Sequence, residues 1–218
     1  MKKITAAIFD LDGTLLDSMP MWMTCAERYI SSLGMEAEAA LGEKLFSMNM
    51  KEGADYLRKN YKLTFSDEEI FSCINSILAE SYREEVLFKD GAEAFLSKLK
   101  NSGTKIALCT NTDRVLFSPA LKRLDAEKYF DFIFTTSEMG MSKQHKETFL
   151  SVCDALGTEK EETWVFEDAL YSIKTAFQAG LKTCGIYDET SKSDIAQIRK
   201  FSTVYCKNYE EVQKYFFG

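Results

Sequence analysis

Proline, histidine and closely spaced cysteine are scarce in this 218-residue chain. Its two prolines, Pro20 and Pro119, exclude a linker-rich architecture, and a hydrophobic content of 45% is that of an ordinary folded protein. A single histidine, His145, excludes a multi-histidine zinc site. Cys25, Cys73, Cys109, Cys153, Cys184 and Cys206 form no Cys-x-x-Cys and sit mostly among apolar neighbours, which reads as buried thiols in a reducing compartment. No apolar stretch approaches the length that crosses a bilayer. Met1-Lys2-Lys3 resembles the start of a leader, but Asp10 and Asp12 break the apolar run behind it. A cytoplasmic protein without a membrane partner is therefore expected. The net charge of −7 leaves no general nucleic-acid footprint, so no nucleic-acid partner is expected either. Internal repeats and low-complexity tracts are absent too.

What the chain does hold is concentrated in Ala6-Ala7-Ile8-Phe9-Asp10-Leu11-Asp12-Gly13-Thr14-Leu15-Leu16-Asp17. An apolar run climbs to Phe9 and ends on two carboxylates with Gly13 behind them, the pattern of a buried strand that stops at a functional loop. The strand period of two projects Asp10 and Asp12 to the same side. Like charges that close repel, and call for a cation, a proton or both. Gly13, without a Cβ, lets the backbone approach a ligand. A plain polar turn is the bland alternative. A calcium loop would carry its glycine at the sixth position rather than the fourth, and a nucleotide-binding loop would carry two or three glycines. A carboxylate pair built for chemistry remains.

The length suits one α/β domain with an insertion, or two modest domains. Behind Asp17 the pattern turns helical for about seventy residues. Trp22, Cys25, Ala26, Tyr29, Ile30 and Leu33 recur at helical spacing before Gly34. Leu41, Leu45 and Met48, then Ala54 and Leu57, mark shorter helices, and Ser66-Asp67-Glu68-Glu69 is a capping box ahead of Ile70, Phe71 and Ile74. From Asp90-Gly91 onward helices alternate with short apolar runs, with strands expected at 105–109, 132–135, 163–166, 181–186 and 203–206. That alternation argues for a Rossmann-like, doubly wound parallel sheet. The first strand belongs to the same sheet. The expected fold class is thus α/β, a core of 1–17 plus 88–218 interrupted by a helical bundle of 18–87, with hinges near Ser18 and Phe88.

Ligands of an open parallel sheet bind beyond the carboxyl ends of its strands. Thr110-Asn111-Thr112 falls there, where a hydroxyl and helix-start amides make a phosphate cradle, although Thr112 reads equally as a helix cap. Glu167-Asp168 follows the strand ending at Phe166. Adjacent acids at such a place suit Mg²⁺, and helix capping by Asp168 is the competing reading. Lys143 and Lys146 lie in the turn into the helix of Phe149 and Leu150. An ammonium there neutralises phosphate or restrains a nucleophile, although most lysines are simply solvated.

Asp10-Leu11-Asp12-Gly13-Thr14-Leu15-Leu16-Asp17-Ser18 resembles the first motif of the haloacid dehalogenase superfamily, magnesium-dependent phosphoryl-transfer enzymes. The resemblance gathers the other candidates into a set in the expected chain order. Thr110 matches the second motif, whose hydroxyl holds the phosphoryl group. Lys143 matches the third by its spacing to Phe149-Leu150, yet relatives usually follow that lysine with proline and here Gln144-His145 follows, so Lys146 stays in reserve. Glu167-Asp168, with Ile173, Ala176 and Ala179-Gly180 behind it, matches the fourth, metal-binding motif. The helical insert matches in position and length more than in residues.

The resemblance implies a Mg²⁺-dependent phosphomonoester hydrolase, expected as a monomer, acting on a small phosphorylated metabolite. Asp10 is the expected nucleophile, forming an aspartyl-phosphate, and Asp12 the general acid and then base. The expected metal ligands are Asp10, Asp12 through its backbone carbonyl, and Asp168, with Glu167 orienting water beside them. Thr110, Asn111, Lys143 and the amides of Leu11 and Gly13 are expected to hold the phosphoryl oxygens. The insert is expected to act as a mobile cap that selects the substrate through Trp22, Asn49 and Lys51, the competing reading being that Trp22 is cap core. β-Phosphoglucomutase-like and phosphoglycolate phosphatase-like proteins are the nearest relatives by motif. A mutase uses a cap histidine soon after the first motif and a cap arginine. Here Met19-Pro20-Met21-Trp22 and Met50-Lys51 stand at those places, which favours hydrolysis. A dehalogenase would leave Asp12 without a role, and a non-catalytic binder of phosphorylated ligands would leave the catalytic residue types unexplained.

Overall fold

The structure, a computed structural model, describes residues 4–46 and 48–218; Met1-Lys2-Lys3, which resembles the start of a leader, and Ser47 lie outside the described residues. The chain divides into two compact units, Ser18–Val86 and the combination of Met1–Asp17 with Leu87–Gly218.

The described residues of Ser18–Val86 form four helices: α1 (Met19–Ser32), α2 (Leu41–Phe46), α3 (Met50–Tyr61) and α4 (Asp67–Glu84). Pro20 sits in the first turn of α1, where its missing N–H removes no helical hydrogen bond. Helix α4 starts with the Ser66–Glu69 capping box that the sequence indicates, and α3 starts with a second one, Asn49 with Glu52. The apolar stripes meet in a core of Ala26, Tyr29, Ile30, Leu41, Ala54, Leu57 and Ile70. Helices α1 and α2 approach so closely that a Cβ on Gly42 would stand 1.6 Å from the Met23 carbonyl oxygen. Only glycine fits there.

In the other unit, β1 (Ala6–Phe9), β2 (Lys105–Thr110), β3 (Phe132–Thr135), β4 (Thr163–Glu167), β5 (Lys182–Ile186) and β6 (Val204–Cys206) form one sheet. All neighbours are parallel, in the order β3-β2-β1-β4-β5-β6. The helices are α5 (Ala92–Asn101), α6 (Arg114–Arg123), α7 (Thr136–Met139), α8 (Lys146–Leu156), α9 (Leu170–Ala179), α10 (Ile195–Phe201) and α11 (Tyr209–Phe217). This is the α/β, doubly wound arrangement that the alternating pattern predicts. Helices α7 and α10 are additions to it: four residues are too few to show a helical period, and α10 buries only Ile198.

Residue alternation sorts the two faces of the sheet. Ala6 and Ile8, Ala107 and Cys109, and Val165 pack on one side with Phe149, Val152 and Leu156 of α8 and Ala176 of α9. Phe9 and Phe166 point the other way, stacked with ring centroids 4.4 Å apart, and both contact Phe95 of α5. Burying this many apolar side chains contributes roughly 1.5–3 kcal/mol apiece, and it fixes the strand ends relative to one another.

Strand order reverses at β1, with β2 and β3 on one side and β4 to β6 on the other. The crevice beyond β1 and β4 is therefore the switch point at which ligands of such sheets bind. The segments leaving and re-entering this unit run side by side: Leu16 bridges Phe88 in antiparallel fashion, and the Lys89 amide donates to the Leu15 carbonyl at 2.8 Å. No described helix is long and apolar enough to cross a membrane.

Candidate active site

Asp10 follows β1, Asp168 follows β4, and Glu167 is the last residue of β4, so the register of two neighbouring strands gathers three carboxylates. One oxygen from each lies within 4.8 Å of the other two, and all three residues are buried. Lys143 enters from the turn ahead of α8 and is only 1% exposed. Its ammonium donates to Asp10 Oδ1 and, at 3.0 Å, to Glu167 Oε2. Lys146, the reserve candidate, is exposed on the first turn of α8.

One ammonium does not balance three buried carboxylates. Burial, and then the charge of Glu167, pushes Asp10 up to about 7 in spite of Lys143. Burial and the charges of Glu167 and Asp10 hold Asp168 well above the usual carboxylate range. Burial works against the Lys143 ammonium, but Asp10 and Glu167 outweigh it and keep Lys143 well above an ordinary lysine. A buried oxygen-donor set short of positive charge is what a hard divalent cation relieves, so these residues fit Mg²⁺.

The three acids are not equally placed to hold it. Glu167 Oε1 accepts the amides of Asp168 at 3.2 Å and Ala169 at 3.1 Å, while Oε2 accepts the Ser172 hydroxyl at 2.6 Å and the Lys143 ammonium. Both oxygens have donors already, which suits Glu167 to orienting its neighbours. Asp168 is held by hydroxyls instead, Thr14 at 2.8 Å on Oδ1 and Ser191 at 3.3 Å on Oδ2. Thr14 is itself fixed by the Tyr209 hydroxyl, which donates to its carbonyl at 3.1 Å. Ser191 lies in a turn that starts at Asp188, whose Oδ2 accepts Lys89 Nζ at 2.8 Å. Sequence reasoning assigned none of Thr14, Ser172, Ser191 or Tyr209 a role. Thr14 stands inside the first motif and was open to notice, whereas the others carry no local signal.

On the other flank, Thr110 is buried at the end of β2, and its hydroxyl oxygen accepts the Thr112 amide at 3.1 Å. Asn111 is exposed and donates to the Tyr171 hydroxyl. The Asp12 carboxylate stands outside the three-acid cluster and accepts the Thr112 hydroxyl at 2.6 Å. Thr112 thus turns to Asp12 rather than capping α6. Gly13, at φ +79°, adopts a backbone that favours glycine. Its amide donates to the Leu16 carbonyl at 3.0 Å, and the Leu11 carbonyl accepts the Leu15 and Leu16 amides. The Asp10–Leu16 loop is thereby closed on itself.

Within Ser18–Val86, the Trp22 indole N–H donates to the Tyr82 hydroxyl at 3.1 Å, joining α1 to α4. The Asn49 side chain caps α3 through the Glu52 amide at 3.0 Å. Lys51 is exposed on α3. Two of the three residues expected to select a substrate therefore have structural duties within their own unit.

A family model described as haloacid dehalogenase-like hydrolase matches residues 7–186. A phosphorylated carbohydrates phosphatase of Thermotoga maritima is 28% identical over 177 residues, 81% of this chain and 82% of that one. A phosphoglycolate phosphatase of Salmonella typhimurium is 28% identical over 210 residues, covering 85% of this chain and 82% of its own. The crystal structure of a Thermotoga maritima protein provisionally named a beta-phosphoglucomutase superposes with a TM-score of 0.84 at 25% identity, covering 99% of each chain.

Proposed function

This chain belongs to the haloacid dehalogenase-like hydrolase family, and we propose that it is a Mg²⁺-dependent phosphatase of small phosphorylated metabolites working through an aspartyl-phosphate on Asp10. The observation that carries this reading is the buried meeting of Asp10 with Lys143, Glu167 and Asp168 at the switch point of the sheet. The relatives named as phosphatases point to the same chemistry.

Asp10 attacks phosphorus in line, and the bond to the leaving oxygen breaks as the aspartyl-phosphate bond forms. Asp12 gives its proton to that leaving oxygen, then takes one from the water that opens the aspartyl-phosphate. The Thr110 hydroxyl and the Asn111 amide hold phosphoryl oxygens. Lys143 balances charge between the nucleophile and the phosphoryl group, and Glu167 fixes its ammonium. Asp10, Asp168 and the Asp12 carbonyl would hold Mg²⁺, which would supply the positive charge that lets an anionic carboxylate meet an anionic ester. The Ser18–Val86 unit is the substrate-selecting cap of this reading. Met19-Pro20-Met21-Trp22, without the mutase histidine, favours water over a second sugar hydroxyl as acceptor. The six cysteines, all free, suit a cytoplasmic setting.

The test is release of phosphate from 4-nitrophenyl phosphate, then from sugar, nucleotide and short organic-acid phosphates, with and without Mg²⁺. Isomerisation of glucose 1-phosphate is assayed alongside. Metal-dependent hydrolysis without isomerisation is expected, and Asp10→Asn should stay folded and inactive. Turnover by Asp10→Asn would overturn the reading.

A further inference from the structure

We propose that Thr112 is a positioning residue whose hydroxyl holds the Asp12 carboxylate in the orientation from which it serves the leaving-group oxygen. The inference rests on the reading of Asp12 as the proton donor. Thr112 Oγ1 donates to Asp12 Oδ2 at 2.6 Å, a short bond between residues 100 positions apart. The fold prepares this contact: β1 pairs with β2 with Phe9 opposite Leu108, so the loops that continue the two strands leave the sheet side by side.

The same three-residue turn also holds the phosphate end of the site. The Thr112 amide donates to Thr110 Oγ1 at 3.1 Å, so Thr112 ties the proposed phosphoryl-holding hydroxyl to the proposed acid. Helix α6 gives the hydroxyl no other task, since it starts after Asp113 and has no side-chain cap at that residue. A β-branched side chain is stiff at χ1, which makes threonine a firm support. Holding Asp12 towards β2 also keeps a fourth carboxylate out of the Asp10–Glu167–Asp168 cluster, which is already short of positive charge.

The experiment compares kcat/KM, which reports the steps through phosphoryl transfer, for glycerol phosphate and for 4-nitrophenyl phosphate. The alkoxide needs its proton, whereas nitrophenolate leaves almost unaided. Correct general acid catalysis is worth about 10²–10⁴-fold, so in Thr112→Val the loss on the alkyl ester should exceed that on the aryl ester by about tenfold or more. Thr112→Ser should recover the alkyl rate to within about threefold of the unsubstituted protein, and in an Asp12→Asn background Thr112→Val should leave the alkyl-to-aryl ratio unchanged. Equal losses on the two esters, or no loss on either, would overturn the proposal. Should Thr112→Val lose its circular dichroism, Thr112→Ala is read in the same comparison. An unsubstituted protein without Mg²⁺-dependent turnover, or an alkyl-to-aryl ratio untouched by Asp12→Asn, overturns the parent reading and this inference with it.

Discussion

The Lys143 ammonium donates to the Asp10 carboxylate across 133 positions of sequence, with both side chains buried. Removing one partner of a buried ion pair leaves the other charge uncompensated, a loss of about 3–5 kcal/mol. Asp10 escapes part of that cost by taking up a proton, which its position near 7 already favours. Lys143→Met should therefore destabilise the metal-free protein more at pH 8 than at pH 6, as read by urea unfolding. Its kcat/KM should fall by about 100-fold or more, the scale of one lost electrostatic contact in a buried site. Equal stability of the two proteins at pH 8 would show that Lys143 does not carry the charge balance.

The metal-free protein should also respond to pH in its own direction. Asp10 stands at about 7 when folded, against an ordinary value of 3.8, chiefly through burial. Between those values the folded chain binds a proton that the unfolded chain has released, so this group's contribution to stability falls as pH rises from about 4 to 7. Asp168, raised by burial and by Glu167, acts in the same sense. Acids held below their ordinary values elsewhere, such as Asp131 and Asp188, act oppositely. The comparison with Asp10→Asn cancels them. In EDTA the unfolding free energy of the unsubstituted protein minus that of Asp10→Asn should decline across this window. On the proposed binding of Mg²⁺ to the ionised carboxylates, saturating Mg²⁺ should remove the decline. A difference that rises with pH in EDTA would contradict the assignment.

Much of the site was legible because its signals are local. The run into Asp10, the strand ends at Thr110 and Glu167, and the Ser66–Glu69 cap are each set by residues within a few positions of one another. The Asn49–Glu52 box obeys the same rule and is equally readable. What sequence could not supply was contact at long range. Thr14 with Asp168, and Tyr209 with Thr14, are separated by 154 and 195 positions, and only the sheet order brings them together. The choice between Lys143 and Lys146 likewise turns on burial. It is set by a turn in which the Ser142 carbonyl accepts the His145 amide and the Thr148 hydroxyl.

The Thr14 hydroxyl makes a buried 2.8 Å bond to Asp168 and can be deleted almost isosterically. Thr14→Val should leave the fold in place, because the Tyr209 hydroxyl bonds the Thr14 carbonyl rather than its side chain. It leaves one oxygen of a buried acid without its donor, at a cost of about 1–3 kcal/mol. Partners that orient metal ligands typically matter about 10–100-fold in affinity. Titration calorimetry should accordingly find Mg²⁺ bound at least about tenfold more weakly by Thr14→Val, and unchanged affinity would remove Thr14 from the metal's support.

Two glycines in the helical unit should answer oppositely to the same substitution. At Gly42 a Cβ would lie 1.6 Å from the Met23 carbonyl oxygen and 2.6 Å from its carbon, so backbone meets backbone and no side-chain rotation relieves the clash. Parting α1 from α2 would also stretch the 2.7 Å bond from the Gly42 amide to Glu27 Oε1. The other oxygen of that carboxylate, Oε2, is already buried without a hydrogen-bond partner, so Glu27 would be left with neither oxygen satisfied. Overpacking and an unsatisfied buried acceptor each cost about 1–3 kcal/mol, so Gly42→Ala should lose about 2–6 kcal/mol. Gly53 lies inside α3 with nothing within 4 Å of the added carbon. There alanine removes backbone freedom from the unfolded chain and should stabilise by about 0.5–1 kcal/mol. Calorimetric melting of the two variants beside the unsubstituted protein checks both signs at once. A Gly42→Ala protein as stable as Gly53→Ala would mean that α1 and α2 do not pack as closely as this structure places them.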